Sequence, residues 1–297
     1  MPLTSPTPDS GADGDSGVLY VVATPIGNQE DITLRALKIL NRVDGIAAED
    51  TRHTGRFLSH HGVTTRLISY HEHNERIKTP ALINQLVSGE SLALVTDAGT
   101  PAVSDPGYRL VKAAVESGIQ VVPVPGVSAA ITALSVGGLP TDSFIFVGFP
   151  AKKTAKRIQQ LQSLAGEERT LIFYESPKRI TAFLAEIKET LGNRNAVLGR
   201  EMTKLHEEFL RGAVSDILEA LSSRSAIKGE CTLLVAGKEE GELPAIAADS
   251  QELRHKIAAG MAGGGSLTDV SRELSALLGI SRKKIYEIAL KIKNDKE

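Results

Sequence analysis

Leu94-Val95-Thr96-Asp97-Ala98-Gly99-Thr100-Pro101-Ala102-Val103-Ser104-Asp105-Pro106-Gly107 joins a short apolar strand to a turn built from small residues and prolines. Small side chains let backbone N–H groups approach a ligand closely. Asp105-Pro106 then reads as the N-cap and first residue of a new helix. A turn of the same kind, Val21-Val22-Ala23-Thr24-Pro25-Ile26-Gly27-Asn28, follows the first strand, and Pro125-Gly126-Val127-Ser128-Ala129-Ala130 follows a third. In open α/β sheets ligands sit at such strand ends, where a helix start offers free N–H groups to an anion. One such turn is an ordinary capped connection, whereas three together point to a ligand cleft. Neither a Walker A sequence nor a dinucleotide fingerprint follows the first strand, which disfavours NTPase and dehydrogenase readings.

Outward from these turns, residues 18–140 alternate strand-like runs with helical patterns. The runs are Leu19–Ala23, Gly45–Ala48, Leu67–Tyr70, Leu92–Thr96 and Ile119–Val124; the helical segments are Thr33–Asn41, Pro80–Ser88 and Tyr108–Ser117. This predicts an N-terminal α/β lobe with a mainly parallel sheet. Residues 141–238 read as a second α/β lobe with a mixed sheet. Its strand candidates are Phe144–Phe149, Thr170–Tyr174, Ala196–Arg200, Glu208–Arg211 and Cys231–Ala236, and its helices are Lys153–Leu164, Pro177–Leu191 and Ser215–Ser222. Residues 239–249 read as a linker, and 250–297 as a small helical C-terminal domain. There Ser266-Leu267-Thr268-Asp269 forms a capping box, Leu267, Val270, Leu274 and Leu277 make one apolar face, Gly279 stops the helix and Ser281 caps the next. The pair resembles a helix-turn-helix.

Composition narrows the class. With 41% hydrophobic and 24% charged residues the chain is that of an ordinary soluble protein, and a formal charge of -2 excludes a globally basic nucleic-acid coat. A single cysteine excludes an internal disulfide. Residues 1–17 are rich in Ser, Pro, Gly and Asp without the apolar core of a signal peptide, so they read as a disordered tail. No apolar stretch is long enough for a membrane span, and the cytoplasm is the expected location.

Several clusters carry chemistry. Glu49-Asp50-Thr51-Arg52-His53-Thr54 follows the apolar Ile46-Ala47-Ala48, where charges can bind substrate or relay protons; the plainer reading is that the acids cap the next helix. Glu201 and Lys204 lie in a second charged run, of a kind that surface ion pairs usually explain. Lys152, Lys153, Lys156 and Arg157 open a helix, with the last three on one face by their spacing. Cations oppose the dipole at a helix start, so a phosphate partner is the natural reason for them. Arg282, Lys283 and Lys284 repeat the pattern in the last helix, although basic faces are also common as solvated surface. His60-His61 and His71/His73 lack partners at ligand spacing, so no metal is expected.

Four of these stretches together resemble the bacterial 16S ribosomal RNA cytidine 2′-O-methyltransferases of the tetrapyrrole methylase superfamily. They are Leu19–Asn28, Ala48–Thr54, Thr96–Gly107 and Phe173-Tyr174-Glu175-Ser176-Pro177, and the likeness runs from Val18 to the C-terminus. Gln29 departs from it, standing where an apolar residue is more usual. The resemblance implies two α/β lobes with S-adenosyl-L-methionine in the cleft between them, a homodimer, and a cytidine of the decoding region as acceptor. It also implies cofactor contacts at Pro25, Asp97, Ala98, Gly99, Thr100, Val103, Ser128, Ala129, Phe149 and Tyr174, and an RNA-gripping C-terminal extension. Glu49, Asp50, Arg52, His53, Glu201 and Lys204 are the candidates for handling a ribose hydroxyl, a weak nucleophile that gains from a base or a cation. The alternatives are C-methylation of a tetrapyrrole, which leaves the basic patches without a purpose, and a non-catalytic RNA-binding factor, which needs no methyl donor.

Overall fold

A computed structural model describes residues 17–238, 251–262, 266–278 and 282–294. Residues 1–16 of the expected tail, the linker 239–249 and the expected stop and cap at Gly279 and Ser281 lie outside the described residues. Gly17, also expected in the tail, is instead buried, and its N–H donates to the Leu86 carbonyl at 2.7 Å. Compactness divides the chain into one unit of residues 1–164 and 169–236 and a second of 165–168 and 237–297.

In the first unit, β1 (Val18–Val22), β2 (Gly45–Ala48), β3 (Leu67–Ser69), β4 (Leu92–Val95) and β5 (Gln120–Val124) form a parallel sheet in the order β3-β2-β4-β1-β5. Alternate strand residues face opposite ways. Val22, Ile46, Ala48, Ala93 and Val95 meet Leu40 of α1 (Leu34–Arg42) and Leu58 of α2 (Thr51–His60). Leu19, Ala47, Leu92 and Leu94 meet Leu82 and Leu86 of α3 (Glu75–Val87) and Leu110 and Ala114 of α4 (Tyr108–Glu116). Burial on both faces explains why these strands read as continuous apolar runs. Because crossovers are right-handed, the chain leaves β1 toward one face and β4 toward the other. A crevice therefore opens at the carboxyl ends of these two neighbouring strands, the switch point where α/β proteins bind ligands.

Three helix starts differ from the sequence expectation, and the simplest is the helix expected from Pro177, which begins at Ile180. α3 begins at Glu75 rather than Pro80. Pro80 sits inside it at the loss of one backbone bond, which is offset where Tyr70 Oη meets Thr79 Oγ1 at 2.9 Å and Arg109 Nε donates to Glu75 at 2.7 Å. Asp105 and Pro106 do not start α4. Gly107 is its N-cap, at φ 129°, and a Cβ there would lie 2.7 Å from Leu94 Cδ2. Ala102 N–H donates to the Pro106 carbonyl, so Asp105 stays within a closed loop.

α5 (Ala129–Gly137) leads to a second, mixed sheet in the order β6-β7-β10-β8-β9, made of β6 (Phe144–Gly148), β7 (Thr170–Glu175), β8 (Asn195–Arg200), β9 (Glu208–Ala213) and β10 (Cys231–Val235). β6 and β7 are parallel and the other pairs antiparallel. Ala130, Ala133 and Leu134 of α5 pack with Ile26, Ile172, Val197, Met202 and Leu234, which ties the first strand's turn to the second sheet. α6 (Thr154–Ser163), α7 (Ile180–Leu191) and α8 (Val214–Ser222) complete this half.

Arg157 corrects another expectation. It does not share an exposed face with Lys153 and Lys156. It is 8% exposed, holds both Glu186 oxygens at 2.6 Å, and donates to the carbonyls of Ala151 and Lys152. A guanidinium with its fork filled has no capacity left for a phosphate.

The second unit holds α9 (Gln251–Ala262), α10 (Leu267–Leu278) and α11 (Arg282–Asn294), so the expected helix pair gains a third member. Leu253, Ile257, Ile285 and Ala289 form its core. Ser266 Oγ accepts from Asp269 N–H, one half of the expected capping box, while the Asp269 carboxylate accepts from the Ser266 hydroxyl in place of the reciprocal backbone bond. Among the described residues no helix is long and apolar enough to cross a membrane.

Removing one partner of a buried, hydrogen-bonded pair strands the other charge. Glu186→Ala is expected to lower unfolding stability by about 3 kcal/mol in a denaturant titration, and Lys153→Ala by less than about 0.5 kcal/mol.

Candidate active site

At the switch point the loops after β1 and β4 are bonded to each other. Thr24 and Gly99 exchange both backbone hydrogen bonds, at 2.9 and 3.0 Å, and Thr24 Oγ1 donates to the Thr96 carbonyl. Gly99 has φ 81°, a conformation that glycine adopts freely. Between this corner, the start of α5 and the second sheet lies a cavity of about 320 Å³.

Eight of the ten residues expected to contact a cofactor line it: Ala98, Gly99, Thr100, Val103, Ser128, Ala129, Phe149 and Tyr174. Pro25 and Asp97 line an adjoining cavity of about 540 Å³, with Ala98 in the wall between the two. Tyr174 Oη accepts from Ala130 N–H, so it fixes the first turn of α5 as well as bounding the first cavity. Ile26, Ser104, Asp105, Met202, Glu230, Cys231 and Thr232 also line that cavity and were missed by sequence reasoning. Burial pushes the Cys231 thiol up to about 11, so it serves there as a neutral apolar wall.

The candidates for chemistry separate into three groups. His53 and Lys204 line the second cavity with Arg56, Phe57, Asp97 and Gln29. Asp50 and Arg52 are closed on each other. Asp50 caps α2 by accepting from the N–H groups of Arg52 and His53, and it also takes the Arg52 guanidinium at 2.9 and 3.2 Å. These hydrogen bonds hold its carboxyl well below the usual range. Glu49 lines neither cavity; burial, then the Asp97 charge, raises its pKa. Glu201 likewise lines neither. It accepts from Glu230 N–H and takes Lys204 Nζ at 3.0 Å, and Glu230 grips the same ammonium at 3.1 Å. Burial alone would lower the Lys204 pKa, but the two carboxylates outweigh it and raise it.

Asp105 is the most perturbed acid of the site. Burial first, then Glu49, Asp97 and Glu230, push it up to about 7. Among the described residues no basic side chain stands within ion-pair distance of it. The four left-handed non-glycine residues described, Ala102, Ser104, Glu201 and Thr203, all sit in the loops that bound these cavities. Strain of about 1 kcal/mol each gathers where a ligand would bind.

Of the basic residues, Lys152, Lys153, Lys156 and Arg282 are exposed, whereas the side chains of Lys283 and Lys284 lie outside the described ones.

Residues 18–218 match the model of the tetrapyrrole (corrin/porphyrin) methylases. Two relatives named ribosomal RNA small subunit methyltransferase I cover most of the chain. That of Synechocystis sp. is 45% identical over 94% of this chain and 99% of its own length. That of Escherichia coli O157:H7 is 44% identical over 94% and 96%. Among solved structures, a cobalt precorrin-4 methyltransferase of cobalamin biosynthesis superposes with a TM-score of 0.57 at 18% identity, over 74% of this chain and 94% of that one. A uroporphyrin-III C-methyltransferase from Thermus thermophilus reaches 0.53 at 24% identity over the same shares. These two share the fold.

Gly27 explains one motif glycine. A Cβ there would lie 2.5 Å from Lys204 Cγ and 2.6 Å from Thr203 Oγ1. Gly27→Ala is expected to displace the 201–206 loop and destabilise the protein by about 1–3 kcal/mol. Faster limited proteolysis near Leu205, with β-sheet content unchanged by circular dichroism, is the expected readout.

Proposed function

Since the chain belongs to the tetrapyrrole (corrin/porphyrin) methylase family, we propose that it methylates the ribose 2′-hydroxyl of a cytidine in the decoding region of small-subunit ribosomal RNA, with S-adenosyl-L-methionine as donor. One observation carries the acceptor assignment. The likeness to the rRNA methyltransferases spans 94% of the chain, whereas the two tetrapyrrole enzymes cover 74% of it.

The first cavity fits the donor on its own chemistry. Ala98, Gly99, Ser128 and Ala129 leave the backbone open to close approach, and Ile26, Val103, Phe149 and Met202 offer an apolar bed. Asp105, an acid without a cation, supplies the charge complement. Bound there, the donor supplies a methyl group on a sulfonium sulfur, which leaves as a neutral thioether once an acceptor oxygen takes the methyl. The protein's own task is to align and dry the two reactants, and to stabilise the oxygen as its proton departs. In this reading His53 and Lys204 face the acceptor, and Glu49 and Glu201 set the charge and position of the groups beside them. Asp50 and Arg52 shape the start of α2. Lys152, Lys153, Lys156 and the Arg282–Lys284 cluster meet phosphates elsewhere on the RNA, the protein is a homodimer, and it works in the cytoplasm.

Mapping 2′-O-methylation in small-subunit rRNA from cells with and without the protein tests the reading directly. A single decoding-region cytidine is expected to lose its methyl group, and an unchanged map overturns the assignment. Asp105 gives a sharper pH test. A proton competes with a cationic ligand for its carboxylate, so donor affinity is expected to fall as pH drops through about 7. Asp105→Asn is expected to bind the donor about tenfold more weakly at pH 8 in calorimetry, and to lose most of the pH dependence.

A further inference from the structure

The donor leaves the second cavity unaccounted for. We propose, building on the methyltransferase reading, that this cavity seats one ribonucleotide of the acceptor RNA, with the Arg56 guanidinium on its phosphate and the Lys204 ammonium on a sugar oxygen. At about 540 Å³ it lies within the usual range for small-molecule sites. Ile26, Ala98 and Glu230 line both cavities, so ligands in the two would meet across a shared wall. A displacement between two substrates requires that adjacency.

Charge separates the two spaces. The first cavity is lined by Asp105, Glu175 and Glu230 and by no basic side chain, a poor seat for a polyanion. The second is lined by Asp97 and Glu230 too, but it adds His53, Arg56 and Lys204, so of the two it is the one with basic side chains. His53 and Arg56 are three residues apart on α2 and therefore share a helix face. Arg56 is exposed, and among the described residues no carboxylate holds it, in contrast to Arg52 four residues earlier. Its planar fork is suited to a phosphate.

Lys204 plays a different part. An ammonium has three N–H donors. Glu201 and Glu230 take two, at 3.0 and 3.1 Å, and the third remains for an oxygen within the cavity. The same two carboxylates more than offset its single positive charge, so it acts as a fixed donor and not as an attractor of phosphate. Leu205, the next residue, is 93% exposed on the same strained loop but lines neither cavity.

The test uses the full chain and small ribosomal subunits from cells lacking the protein, with labelled S-adenosyl-L-methionine. Arg56→Ala is expected to raise KM for subunits about tenfold. It should also reduce the salt slope of subunit binding by about one, while KM for the donor stays within about twofold. Arg56→Lys should recover part of the loss, and Lys78→Ala, an exposed charge on α3, should change nothing. Wild-type KM for subunits in Arg56→Ala overturns the acceptor pocket while leaving the methyltransferase reading standing. A wild-type protein that fails to bind the donor in calorimetry overturns both.

Discussion

The bridge between Thr24 and Gly99 is the constraint on which the rest of the site depends. It joins the ends of β1 and β4 where their connections part toward opposite faces, which would otherwise leave two loops free to separate. Two backbone hydrogen bonds and the Thr24 hydroxyl on the Thr96 carbonyl hold them as one corner. From that corner Ile26 reaches into the cluster made by α5 and the second sheet, and Ala98 forms the partition between the cavities. Position in the fold thus follows from parallel-sheet topology, and chemistry from what each loop carries to the switch point.

Electrostatics then gives each cavity a role. Asp105 sits among Glu49, Asp97 and Glu230, all close enough to shift its titration. Unit charges a few ångströms apart repel by roughly 1–4 kcal/mol, depending on how much water lies between them. The acids therefore gain from a cationic occupant and repel an anionic one. The basic side chains stand beyond the partition, on α2 and on the loop after β8, where Asp97 and Glu230 line the second cavity with them. In the proposed reading, the first cavity favours the sulfonium donor and the exposed Arg56 favours the RNA phosphate, so the two substrates take neighbouring but distinct places.

Much of this was legible in the sequence, and the misses have identifiable causes. The ten strands could be read from short apolar runs bounded by turn residues, and the mixed character of the second sheet from the closer spacing of its strands along the chain. Ala98, Gly99, Thr100, Ser128 and Ala129 could be read as cavity wall because small residues at strand ends serve little else. Met202, Glu230 and Thr232 gave no local signal, since they reach the cavity through antiparallel pairing between segments about thirty residues apart. Arg157 satisfied the helical spacing of a basic face, but Glu186, on another helix, captured it. Asp105-Pro106 matched a helix start, yet the chain enters α4 through a residue at φ 129°, a conformation that favours glycine, and Gly107 is the cap.

The strained loops show how distant segments come to act together. Glu201 and Thr203 hold left-handed backbone at φ 51° and 65°, and each is secured by bonds to other loops. Thr203 Oγ1 accepts from Asn28 N–H, Glu201 and Glu230 exchange backbone and side-chain hydrogen bonds, and Thr203 N–H donates to Glu207. Unfavourable conformations persist only when the surroundings over-determine them. Here the surroundings are the turn after β1, through Gly27 and Asn28, and the segment before β10, through Glu230. The first sheet thereby fixes the loop that carries Lys204 and Leu205 from the second. A side chain held in that way loses little further freedom when a ligand arrives, so its one open N–H can direct an incoming oxygen with little additional ordering.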